Sequence, residues 1–167
     1  MAGERITPDI CVIGAGAAGL SVAAAAAAFG VSTVLVERHE MGGECLNTGC
    51  VPSKALLAAA KRAAQMRGDA FGVHSTEVRV DFAKVQEHVQ QVIAQIAPAD
   101  SAERFAGLGV RVIRGTARFI DRRTVVVGDN HEIRARRFVI ATGSKPAVPP
   151  IPGLDEGPYL TNETVFK

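Results

Sequence analysis

The sequence predicts an α/β fold, with a parallel sheet and an added antiparallel β-meander. An apolar run at residues 9–13, small helix-forming side chains at 17–29 and a second apolar run at 32–36 put strand, helix and strand within fewer than thirty residues. That spacing implies a right-handed crossover onto a parallel sheet. From residue 110 onward β signals dominate, at 110–113, 117–120, 124–127 and 133–141. The composition agrees: 167 residues, 47% apolar and 22% charged with a formal net charge of +2, suit one globular domain and exclude collagen, disorder and a disulfide scaffold. With 5% aromatic residues, no Trp and 17 glycines, the core must pack closely through small side chains.

Each element follows from its residues. Asp9-Ile10-Cys11-Val12-Ile13 is apolar without alternation and stops at Gly14, as a strand covered on both faces does. Residues 17–29 are mostly Ala and close at Gly30, a residue suited to a helix C-cap. Ser32-Thr33-Val34-Leu35-Val36 is the next buried strand. After a Gly-rich loop at 41–49, residues 53–66 are good helix formers with Ala55, Leu56, Ala59, Ala60 and Ala63 on one face. Asp81 can cap a further helix through Ile96, whose stripe of Phe82, Val85, Val89, Val92, Ile93 and Ile96 suits core or a partner surface, with core expected. Pro98 ends or kinks that helix, another helical stretch reaches Phe105, and Gly107-Leu108-Gly109 turns the chain into its β-rich half. Residues 146–158 hold five of the eight prolines and suit a linker, and residues 161–166 open like another helix. The expected division is a domain at 1–148 and, at 149–167, a linker with the start of a further domain, so the chain is expected to be one piece of a longer protein.

Three function classes are tested by simple features. No charged residue occurs from Ile10 to Val36, long enough for a membrane span or a leader. Gly14, Gly16, Gly19 and Gly30 break that run where strand, turn and helix need breaks, and Ala adds little transfer energy, so no membrane partner is expected. Three cysteines are too few, and odd in number, for a secreted framework, which points to a reducing compartment, by default the cytoplasm. Eight arginines between Arg111 and Arg137 face three acidic residues there. Lacking interleaved aromatics and a recognised motif, they suit solvated strand and turn faces, and no nucleic-acid partner is expected.

Gly14-Ala15-Gly16-Ala17-Ala18-Gly19 has the spacing G-x-G-x-x-G between a strand and a helix. The first Gly makes the turn, the second admits a pyrophosphate close to the backbone, and the third lets helix lie on strand. The amides of Ala17 and Ala18 then belong to the positive helix end that faces the phosphates. Glu37, 18 residues beyond Gly19, ends the second strand where a carboxylate can accept ribose hydroxyls and repel a 2′-phosphate, as FAD or NAD would require. Arg38 and His39 share that rim. The ligand-free alternative is an Ala-Gly helix that merely packs closely on a sheet.

Cys45 and Cys50 stand five positions apart, so one helical turn between them can bring the thiols to disulfide distance. So short a loop gains little from cross-linking, which favours redox chemistry over stabilisation. The end of the following helix and Lys54 add positive charge near Cys50. No second cysteine pair exists, and His74, His88 and His131 lack ligand spacing, so no metal site is expected. Cys11, inside a strand, reads as an inert core residue.

Together the glycine turn, Glu37, the segment Gly42-Gly43-Glu44-Cys45-Leu46-Asn47-Thr48-Gly49-Cys50-Val51-Pro52-Ser53-Lys54 and Ala141-Thr142-Gly143-Ser144 resemble the FAD-binding part of the pyridine nucleotide-disulfide oxidoreductases. Pro52-Ser53-Lys54-Ala55-Leu56 is more similar to the dihydrolipoamide dehydrogenase and mercuric reductase branches than to glutathione reductase. The resemblance covers essentially the whole chain and implies a Rossmann-like FAD-binding domain. It implies that Gly14, Gly16 and Gly19 hold the pyrophosphate, Glu37 the ribose, and Gly43 the loop beside the phosphates. It further implies that Cys45 is the interchange thiol, Cys50 the charge-transfer thiolate beside the flavin, and Lys54 a neighbour of the flavin nitrogen. Thr116 and Ala117, after Gly115, match the adenine contact, and Ala141, Thr142 and Gly143 match a turn close to the flavin. Glu44 departs from the usual Thr and cannot donate a hydroxyl hydrogen bond to a phosphate.

In such an enzyme NADH or NADPH reduces the flavin, which reduces the Cys45–Cys50 disulfide, and the dithiol acts on a lipoyl or other disulfide or on Hg(II). Dihydrolipoamide oxidation runs these steps backwards. The resemblance also implies a homodimer at full length, with a shuttle His and a second nucleotide turn that these residues lack, so the chain alone is expected to be inactive. The rival reading is a non-catalytic dinucleotide-binding module with an incidental cysteine pair.

Overall fold

The computed structural model describes residues 4–67 and 77–166, which fall into two compact units. The first comprises Met1–Cys45 and Ala97–Lys145, the second Leu46–Ile96 and Pro146–Lys167.

The first unit holds two four-stranded sheets. In the parallel sheet β2 (Ile10–Ile13) lies between β3 (Thr33–Glu37) and β8 (Arg137–Ile140), and β4 (Arg111–Arg114) extends it beyond β3. β2 and β3 are joined through α1 (Ala17–Ala28), the expected crossover, and Gly30 at φ +69° follows its end. The second sheet is the antiparallel meander β5 (Ala117–Asp121), β6 (Thr124–Val127) and β7 (His131–Arg134), with β1 (Glu4–Ile6) added parallel to β7.

The expected single strand at 133–141 is two strands in two sheets. Between them Ala135 is buried, and the Arg137 amide donates to Asp9 O at 3.0 Å. No Gly or Pro stands between residues 133 and 141 to mark this crossing in the sequence.

The core has two layers. Cys11, Val34, Val36 and Ile113 of the parallel sheet pack with Val125, Val127, Ile133 and Ala135 of the meander side. On the other face Val12, Leu35 and Val110 pack with Leu20 and Ala23 of α1, with Met41, and with Phe105 of α5 (Ala102–Gly107). Ser101 caps α5 by accepting the Arg104 amide at 3.1 Å. Phe105, 1% exposed, is the largest fully buried side chain among the described residues. Truncating it to Ala is expected to cost about 3–5 kcal/mol.

The second unit packs α3 (Cys50–Arg67) against α4 (Phe82–Ile96). α3 begins three residues earlier than expected: the Ser53 amide bonds Gly49 O at 3.0 Å, and Pro52 is accommodated because first-turn amides have no intrahelical acceptor. The loop at 41–49 also contains a short helix, α2 (Gly43–Asn47). Asp81 caps α4 by accepting the Lys84 amide at 3.2 Å. Its apolar stripe is not the expected core: Val89 is buried, Val85, Val92 and Ile93 are half-buried, and Phe82 and Ile96 are exposed. Residues 161–166 form turns rather than a helix, closed by the Val165 amide on Thr161 O at 3.0 Å. No helix among the described residues is long and apolar enough to cross a membrane.

Candidate functional site

All four strands of the parallel sheet run the same way, so Gly14, Glu37, Gly115 and Ala141 emerge at one carboxyl edge. Strand order reverses at β2, since β3 lies on one side of it and the much later β8 on the other. Ligands of open α/β sheets bind in the crevice at such a switch point.

The glycine turn sits there. Gly14 has φ +104°, and a Cβ on it would run into the Ala141 carbonyl. A Cβ on Gly19 would run into the Gly14 carbonyl, so α1 can start this close to β2 only without a side chain there. Gly42 and Gly43 return to the same place: Gly16 and Gly42 form a parallel bridge, and the Gly42 amide donates to Ala15 O at 2.9 Å. Above the turn, α1 has Gly16 at its N-cap, with no side-chain cap and no acidic residue in its first turn, and Ala17 and Ala18 are exposed. Such a helix end offers amide donors and positive partial charge, worth about 0.3–1 kcal/mol toward an anion at its surface.

Glu37 is 9% exposed, and its carboxylate is engaged on both oxygens. Oε2 accepts the Ala15 amide at 2.6 Å and Oε1 the His39 amide at 2.7 Å. Each carboxylate oxygen has two lone pairs, so one per oxygen remains for ribose hydroxyls. Beside it, the Gly115 amide donates to Glu37 O at 2.8 Å, and a Cβ on Gly115 would stand 2.6 Å from a Val127 methyl. Thr116 is exposed and Ala117 half-buried. The Ala141 amide bonds Ile13 O at 2.8 Å, and Gly143 turns at φ +69° with Thr142 exposed. The structure thus gathers Gly14, Gly16, Ala17, Ala18, Gly19, Glu37, Gly43, Thr116, Ala117, Ala141, Thr142 and Gly143 along one edge. These residues fit a dinucleotide: a small-residue cradle, unused amides and a carboxylate with spare acceptors.

Arg38 is exposed at the rim, and Glu44 is exposed in the first turn of α2. Cys45 is half-buried within α2. In the second unit Cys50 is the exposed first residue of α3, and Lys54 is exposed one turn later. Cys11 is 0% exposed, and burial pushes its thiol up to about 12, so it is not a nucleophile at neutral pH. His74 lies outside the described residues. Several of the clustered arginines are committed within the fold: Arg111 to Glu4, Arg136 to Asp9 at 2.9 Å, and Arg114 to the His39 carbonyl.

Three contributors escape the motif reading. Ala15 supplies an amide to Glu37, Gly42 bridges Gly16, and Arg114 holds the rim. The Gly42-Gly43 pair could have pointed to Gly42. Nothing local marks Arg114, because its place depends on strand register.

Residues 8–166 match the pyridine nucleotide-disulphide oxidoreductase family. Among curated relatives, a mercuric reductase of Streptomyces lividans is 38% identical over 95% of this chain and 35% of its own length. A dihydrolipoyl dehydrogenase of Bacillus subtilis is 39% identical over 84% of this chain and 31% of its own. Among solved structures, the HOCl-induced flavoprotein disulfide reductase RclA from Escherichia coli superposes with a TM-score of 0.77 at 27% identity, covering 95% of this chain and 33% of that one. The chain therefore spans about a third of the length of these relatives.

Proposed function

The chain belongs to the pyridine nucleotide-disulphide oxidoreductase family, and from that premise we propose that it is the FAD-binding, dithiol-bearing part of a flavoprotein disulfide reductase. The observation that carries the reading is the uncapped start of α1 beside Glu37 at the switch point of the sheet, in a chain whose next motif is Cys45-x4-Cys50. FAD, when bound, would supply a two-electron donor and acceptor. The protein's share is to hold its pyrophosphate on the amides of residues 16–19, its ribose on Glu37 and its adenine near Thr116 and Ala117. Ala141, Thr142 and Gly143 would line the flavin side, with Arg38, Gly43 and Glu44 at the rim.

Cys45 is the thiol proposed to meet substrate, with Cys50 and Lys54 on the flavin side. With a disulfide substrate, the Cys45 thiolate attacks one sulfur and releases the other as a thiol. Cys50 then attacks Cys45 of the mixed disulfide, releasing the second thiol and leaving a Cys45–Cys50 disulfide. Two protons pass to the product thiols and two electrons leave the dithiol. Lipoamide chemistry is the reverse of these exchanges, and with Hg(II) the same two sulfurs are soft ligands. We further propose NADH or NADPH as reductant, a cytoplasmic location and a homodimer for the whole protein, with residues 149–167 leading into a nicotinamide-nucleotide domain.

The test is titration of the chain with FAD, followed by reduction. The expected result is saturable quenching of flavin fluorescence and, with the dithiol reduced, a long-wavelength thiolate-to-flavin absorbance that disappears in Cys50→Ser. No FAD binding would overturn the reading, and an unchanged band in that variant would overturn the role of Cys50. FAD binding with thiols that never react would favour the non-catalytic module.

A further inference from the structure

Arg114 ends β4 in register with Glu37 at the end of β3. Its Nη1 donates to the His39 carbonyl, and the His39 amide donates to Glu37 Oε1 at 2.7 Å. The other carboxylate oxygen takes the Ala15 amide at 2.6 Å, inside the glycine turn. A continuous chain of hydrogen bonds therefore runs from a guanidinium on the outermost strand, through the turn after β3, to the phosphate-binding loop.

Arg38, His39 and Glu40 are exposed, so the segment that supplies one of the two amides to Glu37 has little packing of its own. A segment of this kind keeps one geometry only if hydrogen bonds hold it. The position of the Glu37 carboxylate matters because its remaining lone pairs have to point where ribose hydroxyls arrive. A guanidinium bonded to a carbonyl restrains that peptide while leaving the carboxylate free of a direct ionic partner that would compete with the ribose.

We infer that Arg114 is a positioning residue for the adenosine side of the cofactor site, acting through His39 on Glu37 and touching no ligand itself. The inference deepens the FAD reading and rests on it for its ligand, but not for its geometry.

The experiment pairs two readouts on the full chain. Hydrogen exchange at the His39 amide is measured without ligand in the wild type, in Arg114→Ala and in Arg114→Lys, alongside Arg118→Ala, an exposed β5 control. Affinity for FAD and for ADP is then measured for the same proteins at low and high salt. Loss of one charge-assisted hydrogen bond corresponds to a change of about ten-fold. Arg114→Ala is expected to exchange about ten-fold faster at His39 and to bind FAD and ADP about ten-fold more weakly. Arg114→Lys should recover part of both, and Arg118→Ala should match the wild type. Because positioning is not screened, the affinity ratio should persist at high salt, whereas a simple charge effect would fade. Wild-type exchange at His39 in Arg114→Ala overturns the inference, as does an equal loss in Arg118→Ala or a loss abolished by salt. If Arg114→Ala fails to fold, Arg114→Lys carries the test: faster exchange at His39 together with a loss of affinity that persists at high salt supports the inference, and wild-type exchange or a loss confined to low salt overturns it. If the wild type fails to bind FAD, the function reading falls while the exchange measurement still decides the role of Arg114.

Discussion

Gly43 lies so close to Gly16 that a Cβ on it would stand 2.6 Å from the Gly16 Cα. The two glycines come from different loops, and their contact joins the phosphate turn to the segment that leads to Cys45. Gly43 also has φ +57°, which an L side chain adopts at a cost of about 1–2 kcal/mol. Gly43→Ala is therefore expected to lower stability by at least that amount and to weaken FAD binding, because the clash is with backbone that cannot rotate aside. Thermal melts with and without FAD check both effects, and an unchanged melting temperature would contradict the close approach.

Glu37→Gln tests the carboxylate as a doubly engaged acceptor. The amide group keeps one oxygen but turns two N–H donors toward either Ala15 or His39, each of which already donates. A buried donor facing a donor costs about 1–3 kcal/mol. Lower urea resistance and weaker FAD binding are expected together. A variant as stable as the wild type would mean that the two amides find other acceptors.

The glycine turn and the place of Glu37 at the end of β3 were legible in the sequence because each depends on residues close in the chain. Gly14, Gly16 and Gly19 announce a turn, and Gly30 ends α1 as its position suggests. What depends on distant pairing was not legible. The crossing from β7 to β8 is held by Asp9, and Arg114 gains meaning only from its register with Glu37. The stripe on α4 shows the opposite failure: helical periodicity was read correctly, but period alone does not say whether Phe82 and Ile96 meet a core or solvent. The early start of α3 was hidden by Pro52, which breaks helix interiors but suits first turns.

Acid should loosen the edge at β1. The Arg111 guanidinium bonded to Glu4 holds that carboxyl below its ordinary value of 4.5, with His131 adding to the effect. A depressed folded value means that the stabilisation is fully present above the ordinary value and is lost as pH falls through the lower, folded one. Carboxyl titration by NMR should give a Glu4 midpoint below 4.5 in the wild type and a higher one in Arg111→Ala. Equal midpoints in the two proteins would remove Arg111 as the cause.

The three cysteines should separate by reactivity. Cys11 is fully enclosed between Val34, Val36 and the meander side chains, and burial raises its thiol to about 12. At pH 8 only about one molecule in ten thousand would carry a Cys11 thiolate even if reagent could reach it. Cys50 is exposed and Cys45 half-buried, so reagent can reach both. After mild reduction, a thiol-specific chromophore should therefore count two fast thiols in the folded chain and three after denaturation. Cys45→Ser and Cys50→Ser should each remove one fast thiol, and Cys11→Ser should change only the denatured count. If the folded chain lost a fast thiol in Cys11→Ser, the buried assignment of that strand would be wrong, and with it the placement of β2 at the centre of the sheet.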